Sequence, residues 1–505
     1  MLIAAMDAGN SRFKYAVADE AGNPKIITNR YGESFTPSGV YFGEDGSTIV
    51  GTEAINAGFA DPTRLVVNWK RSMGTNESLY TAPDGTVYTA KDILAILLKD
   101  AKENIEAKTG DIVNEAVITV PANYNDAQKQ QTIDAAAEIG IRAILLPHEP
   151  TAAALGNELY KRKNAVCLVY DLGGGTFDVS LVRSKANVCD IIATGGEPNI
   201  GGRDFNDRVC EKILVEFATQ HRFTPDRKKH LMFFHEMNQR VEQLKVSLSA
   251  QSQSQIILSC EGKPFQMTVT RQQFNDWIKD LVETTMRRVE LTIEDAGLTF
   301  ADIDEIYAVG GGSMMQVIVD RLEGLSGKKV SKRCEPHCAA ALGAVLAGRI
   351  EYQRQGRNYI CGGDILPPPD VIVHEILSHS IGVKALSQNG SEVCSEILVK
   401  DTPVPSAHTK LFKLSEPNQT AVTIVILEGP DGKCAAECLT LGHFDMIDLP
   451  ARPDLIGRIE VTFSLDQNGI LMARARDNAS GKTGELQIDY DLNGKSIGNP
   501  QRSVA

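Results

Sequence analysis

Two aspartates, each followed two residues later by glycine at the end of an apolar run, are where this chain could most readily assemble chemistry. Asp171 precedes Gly173, Gly174 and Gly175 and then Thr176, and Asp7 precedes Gly9, Asn10 and Ser11. Consecutive glycines expose backbone N–H groups with no Cβ in the way, so they can cradle phosphate oxygens. A carboxylate at the head of such a turn can hold Mg²⁺ through its water, and Thr176 offers a hydroxyl. Taken alone, either stretch reads equally well as a tight turn in a buried sheet. A third strand-to-glycine turn, Ile306 to Ser313 with Gly310, Gly311 and Gly312, tips the balance towards two similar lobes closing on one nucleotide. The glycines follow neither the G-x-x-x-x-G-K-[ST] nor the G-x-G-x-x-G pattern, so Walker and dinucleotide sites are excluded.

The elements that must position these turns follow from periodicity. Val166, Leu168 and Tyr170 lead into Asp171, and Phe177, Val179 and Leu181 lead out at period two, which predicts a strand hairpin; Leu2 to Met6 predicts a strand ending at Asp7. Lys91 to Ala107 has helical spacing, Val117 to Val120 reads as a buried strand stopping at Pro121, and His148-Glu-Pro-Thr151 opens an alanine-rich helix with Glu149 at its entrance. Residues 203–300 are mostly helical in pattern. There Glu242, Lys245 and Ser249 fall on one helix face. Prolines 367–369 mark a boundary, and beyond it strands over Ala421–Leu427, Ile459–Leu465 and Ile470–Ala475, with Asp431-Gly432 and Asn468-Gly469 as hairpin signals, predict an all-β domain.

The formal charge of −13 over 505 residues, with no basic stripe, argues against nucleic acid or an anionic membrane as the main partner. Neither a secretory leader nor a membrane-length apolar run is visible. Ten cysteines in so long a chain favour reduced thiols and a cytoplasmic location. Cys334, His337 and Cys338, and Cys434 with Cys438, lack the spacings of common zinc sites.

Five segments together carry a resemblance: the hairpin Val169–Leu181, Ala116–Asp126, Glu149–Leu155, Asn199–Phe205 and Phe463–Leu471. In these the chain resembles the DnaK-type heat-shock 70 kDa chaperone family, in a divergent form that stops soon after Tyr490 and is expected to lack the helical lid. The resemblance implies an α/β two-lobed, actin-like (ribonuclease H-like) ATPase domain over 1–363 and an interdomain linker over 364–373. It further implies a β-sandwich peptide-binding domain over 374–495 and a polar tail over 496–505. It also implies a slow ATPase with ATP and Mg²⁺, K⁺ as a further candidate cation, unfolded apolar peptides as clients in protein folding and the stress response, and a J-domain cochaperone and nucleotide exchange factor as partners.

Residue by residue, the resemblance makes Lys70, within Asn68–Gly74, the catalytic lysine, acting with Glu149, Asp171 and Thr176, while Asp7 and Asp171 hold the metal through water. Nucleotide contacts fall on Gly9, Asn10, Ser11, Gly173, Gly174, Gly175, Thr176, Gly201, Gly202, Glu242, Lys245, Ser249, Gly311, Gly312 and Met314. The peptide groove falls on Val383, Leu386, Phe412, Ser415, Val422, Ile424 and Ile426, which taken one by one are better explained as sandwich core and are promoted to the groove by the resemblance alone. Several positions depart from the family pattern. Val246 and Met314 stand where two arginines usually enclose adenine, Asn10 and Ser11 replace threonines, and Arg12 is unusual beside phosphates; Lys129, His337 and Cys338 are further departures. Val371-Ile-Val373 is left as the linker segment able to dock as a strand. Two rivals are a nucleotide-insensitive peptide-binding protein and a metabolite kinase on the same scaffold; the β-domain disfavours the kinase.

Overall fold

Leu2 to Ala8 is apolar except for Asp7, and a strand of that kind is stable only with both faces covered. In the computed structural model of the chain it forms β1 (Ile3–Ala8), buried at every residue. The structure describes residues 2–162, 164–331, 333–361, 364–366, 370–453 and 458–487. The chain divides into two units, the first comprising Met1–Ser72, Glu77–Ala122 and Ala135–Val373, the second Met73–Asn76, Asn123–Asp134 and His374–Ala505.

In the first unit β1 pairs antiparallel with β2 (Arg12–Ala18), which pairs with β3 (Pro24–Ile26), while on its other side β1 runs parallel to β4 (Glu115–Thr119), itself parallel to β5 (Arg142–Leu145). A second sheet repeats this order. Its central strand β6 (Asn164–Leu172) pairs antiparallel with β7 (Phe177–Lys185), which pairs with β8 (Val188–Glu197), and β6 runs parallel to β9 (Glu305–Val309). Each sheet thus has a central strand ending one residue after an aspartate, between a hairpin partner and a parallel neighbour. The expected hairpin and the expected kinship of the two halves are both present in this unit.

Helices brace the two sheets. Helix α1 (Glu149–Gly156) begins with Glu149 and Pro150, and helix α4 (Ala339–Arg354) crosses it closely: a Cβ on Gly343 would lie 1.6 Å from the Ala152 carbonyl oxygen. Between them in sequence, α2 (Gly202–His221) and α3 (Leu231–Ala250) cover the second sheet and bury Phe205, Phe217, Val241 and Leu244 against Leu168, Tyr170 and Phe177. Near the end of this unit the Ile372 N–H donates to the Asn187 carbonyl at 2.8 Å, and the Asn187 amide donates to Asp370 at 3.0 Å. The expected docking of Val371–Val373 by backbone hydrogen bonding is therefore seen at Ile372. Prolines 367–369 lie outside the described residues.

The second unit holds two four-stranded antiparallel sheets. One orders Glu392–Leu398, Ile381–Leu386, Val422–Glu428 and Leu439–Met446; the other orders Ser406–Phe412, Ile459–Leu465, Leu471–Asp477 and Thr483–Gln487. Both contribute to one core, in which Val383, Ile424, Ile426 and Phe444 meet Val461, Phe463, Leu471 and Ala473. The Asn468-Gly469 turn is held by the Asp466 carboxylate, which accepts the N–H groups of Asn468 and Ile470. The polar tail expected over 496–505 lies outside the described residues.

Candidate phosphate and cation site

Because β1 and β6 end at corresponding places in their sheets, Asp7 and Asp171 are delivered to the mouths of the two glycine turns. The turns approach closely. A Cβ on Gly174 would lie 1.9 Å from the Ser11 hydroxyl, one on Gly175 would lie 2.9 Å from the Asn10 amide, and one on Gly201 would lie 2.4 Å from Gly175. Only residues without side chains allow this approach. The start of α2 joins the same turn, since Gly202 and Arg203 donate their N–H groups to the carbonyls of Gly173 (2.8 Å) and Gly174 (2.9 Å).

Lys70 is buried, and its ammonium lies 2.7 Å from Glu149 Oε1. Its backbone N–H donates to Asn10 Oδ1 at 3.1 Å, and Asn10 in turn donates to Asn68 Oδ1 at 3.1 Å, so the lysine segment is fastened to the first turn. Arg71 is fastened to the second: its guanidinium donates to the Gly175 carbonyl at 2.8 and 2.5 Å and pairs with Asp204. Thr176 donates its hydroxyl to Asp178 at 3.1 Å. Lys245 on α3 donates to Glu242 (2.6 Å), Asn206 (2.9 Å) and the Gly202 carbonyl (3.3 Å), which ties that helix face to the α2 entrance.

The electrostatics of the two turns differ. Burial works to raise the Asp7 carboxyl, but the Lys14 ammonium at 2.5 Å, with Lys70 and the Thr119 hydroxyl (3.0 Å), outweighs it and holds Asp7 below the usual carboxylate range. Asp171 is raised well above that range, first by burial and then by the charges of Glu149, Asp178 and Asp7. Asp178, opposite Asp171 in the β6–β7 register, is pushed up to about 7 by burial and by Glu149. Its Oδ1 is buried without a hydrogen-bond partner among the described residues. Crowded, under-neutralised carboxylates beside backbone N–H groups form a donor set that fits a hydrated divalent cation and a polyphosphate.

Of the residues expected here, the structure brings together Asp7, Gly9, Asn10, Ser11, Lys70, Glu149, Asp171, Gly173, Gly174, Gly175, Thr176, Gly201 and Gly202, with Glu242 and Lys245 adjoining. The third turn joins them through Gly310 and Gly312, whose Cβ positions lie within 2.8 Å of Leu172 atoms, and through Gly311, which faces Arg12. Ser249 turns its hydroxyl back to the Lys245 carbonyl (3.2 Å), and both Met314 and Val246 are exposed. In the second unit Val383, Ile424 and Ile426 are buried in the shared core, Phe412 and Val422 pack at its margin, and Leu386 and Ser415 are exposed.

Four participants were not read from the sequence: Lys14, Arg71, Asp178 and Thr119. Lys14 carried a signal, a lone charge inside the otherwise apolar Phe13–Val17, and so did Asp178, placed after the turn as Asp171 is before it. Among the described residues no helix is long and apolar enough to cross a membrane, and no three His, Cys, Asp or Glu side chains converge as direct metal ligands. Cys334, Cys338, Cys434 and Cys438 are free thiols. The family model described as Hsp70 protein matches residues 3–84 and 75–498, nearly the whole chain, and so the chain belongs to the Hsp70 family.

Proposed function

We propose that this chain is an ATP-driven chaperone in which the first unit binds and slowly hydrolyses ATP and the second binds extended apolar peptide, with nucleotide state governing how the peptide is held. The observation that carries the reading is the convergence of the Lys70–Glu149 pair, Asp7, Asp171 and Asp178 on three glycine turns. The repeated strand order of the two sheets supports an actin-like ATPase fold. On this reading the backbone N–H groups of Gly9–Ser11 and Gly173–Thr176 receive phosphate oxygens. Lys70 stabilises charge developing on the γ-phosphate and orients the attacking water, with Glu149 fixing the ammonium and Thr176 contributing its hydroxyl. Asp7 and Asp171 would hold Mg²⁺ through water; when bound, the ion neutralises β- and γ-phosphate oxygens.

In the second unit the peptide site is assigned to the exposed Leu386 and Ser415 and to Phe412 and Val422, which pack against the core that holds buried Val383, Ile424 and Ile426. An extended segment there gains backbone hydrogen bonds and apolar contact. Family membership supports a J-domain cochaperone and an exchange factor as partners, and the free cysteines are in keeping with the cytoplasm as the place of action. The test is ATP turnover by the full chain with and without an unfolded apolar polypeptide. Slow hydrolysis that peptide stimulates and Lys70→Ala removes is the expected result. Peptide binding indifferent to ATP, with no turnover, would instead identify a nucleotide-insensitive binder, and ATP-dependent phosphorylation of a small metabolite would identify a kinase.

A further inference from the structure

Strand β2 carries two cations two residues apart, so both leave the same face of the sheet, while Phe13 and Tyr15 are buried on the other. Lys14 sits directly across the β1–β2 register from Asp7, only 7% exposed, with its ammonium 2.5 Å from the carboxylate. Burying an ammonium so completely is costly unless an opposite charge answers it, and Asp7 does. Arg12 takes another course. Its guanidinium lies over the Phe35 ring at 4.6 Å, and its Nη1 comes within 3.7 Å of where a Cβ would sit on Gly311. One cation thus backs the first turn, and the other reaches from that turn to the third.

We propose that Lys14 and Arg12 are resident cations of the phosphate site. Lys14 neutralises Asp7 from within the chain, and Arg12 faces the triphosphate from beside Gly311, so nucleotide binding depends less on dissolved Mg²⁺ than the four carboxylates alone would require. The proposal rests on the nucleotide reading above. Its physical basis is that a fixed positive charge occupies part of the field a bound cation would otherwise have to supply.

The test is calorimetric titration of the full chain with ATP, once with Mg²⁺ and once with EDTA, for wild type, Lys14→Met and Arg12→Ser. The expected result is that wild type loses no more than about tenfold in affinity on removing Mg²⁺, while each variant loses on the order of tenfold more, the size of one charge-assisted hydrogen bond. A purely structural Lys14–Asp7 pair would weaken binding equally in both buffers. Should Lys14→Met fail to fold, Arg12→Ser, which leaves the buried pair intact, decides the matter. Equal sensitivity to EDTA in wild type and variants overturns the proposal while leaving the nucleotide reading standing. No binding by wild type even with Mg²⁺ overturns both.

Discussion

The turn after β1 and the turn after β6 look alike in sequence, in register and in strand topology, yet their aspartates face opposite fields. Asp7 has a lysine across the strand pair and sits below the usual carboxylate range; Asp171 has Asp178 in the same place and sits above it. The difference shows that a motif delivers a carboxylate, while its cross-strand neighbour decides whether the carboxylate is already neutralised or still requires a cation. On the proposed reading the two share the hydrated cation unequally: Asp171, with Asp178 beside it, carries more of the hold, and Asp7, already paired with Lys14, carries less.

The comparison can be broken or sharpened by substitution. The largest effect is expected from Lys70→Ala, which removes the ammonium acting on both Glu149 and Asp7: single-turnover hydrolysis should fall by on the order of 10²–10³-fold with ATP affinity little changed. Rapid-quench measurement checks this, and unaltered hydrolysis would remove Lys70 from the mechanism. Gly174→Ala should come next, because its Cβ would meet the Ser11 hydroxyl and push the two turns apart. Thermal denaturation should show a loss of roughly 1–3 kcal/mol, against no change if the turns are free to separate.

Asp178→Asn tests the unneutralised side through pH. With its folded-state carboxyl raised to about 7, Asp178 stabilises the metal-free fold fully below its unfolded value of about 4 and loses that contribution as pH rises to about 7. The stability of Asp178→Asn relative to wild type should therefore increase from about pH 4 to about pH 7 and level off above that range. A pH-independent difference in melting temperature would contradict the assigned field. The smallest effect is expected from Met314→Arg, which places a guanidinium beside the third turn at an exposed position: ATP binding should tighten by roughly 0.5–2 kcal/mol, measured by calorimetry, and no change would place adenine elsewhere.

What could be read from the sequence was local. The Asp–Gly turns, the period-two run around Asp171, the Glu149-Pro150 helix start and the Asn468-Gly469 hairpin all declare themselves within a few residues, and all are present. What escaped depends on register between distant segments. Thr119 reaches Asp7 only because β4 lies beside β1, and Lys14 and Asp178 acquire roles only once the pairing of each hairpin is fixed. Strands Glu392–Leu398 and Ser406–Phe412 were not foreseen for another reason: polar residues stand on both alternating faces of each, and Ser406–Phe412 has no fully buried residue, so no clean alternation marks them. Burial also divided the expected peptide residues, since Val383, Ile424 and Ile426 face the core while Leu386 does not.

The central claim is one ATP–Mg²⁺ site whose metal side is Asp171 and whose self-neutralised side is Asp7. It is tested most directly by calorimetric titration of ATP–Mg²⁺ into wild type, Asp171→Asn and Asp7→Asn. The account predicts a single site per chain, weakened by Asp171→Asn up to the roughly tenfold that removing Mg²⁺ costs and distinctly less by Asp7→Asn, whose lost charge already had a partner in Lys14. Absence of binding, or equal weakening by the two substitutions, would contradict it.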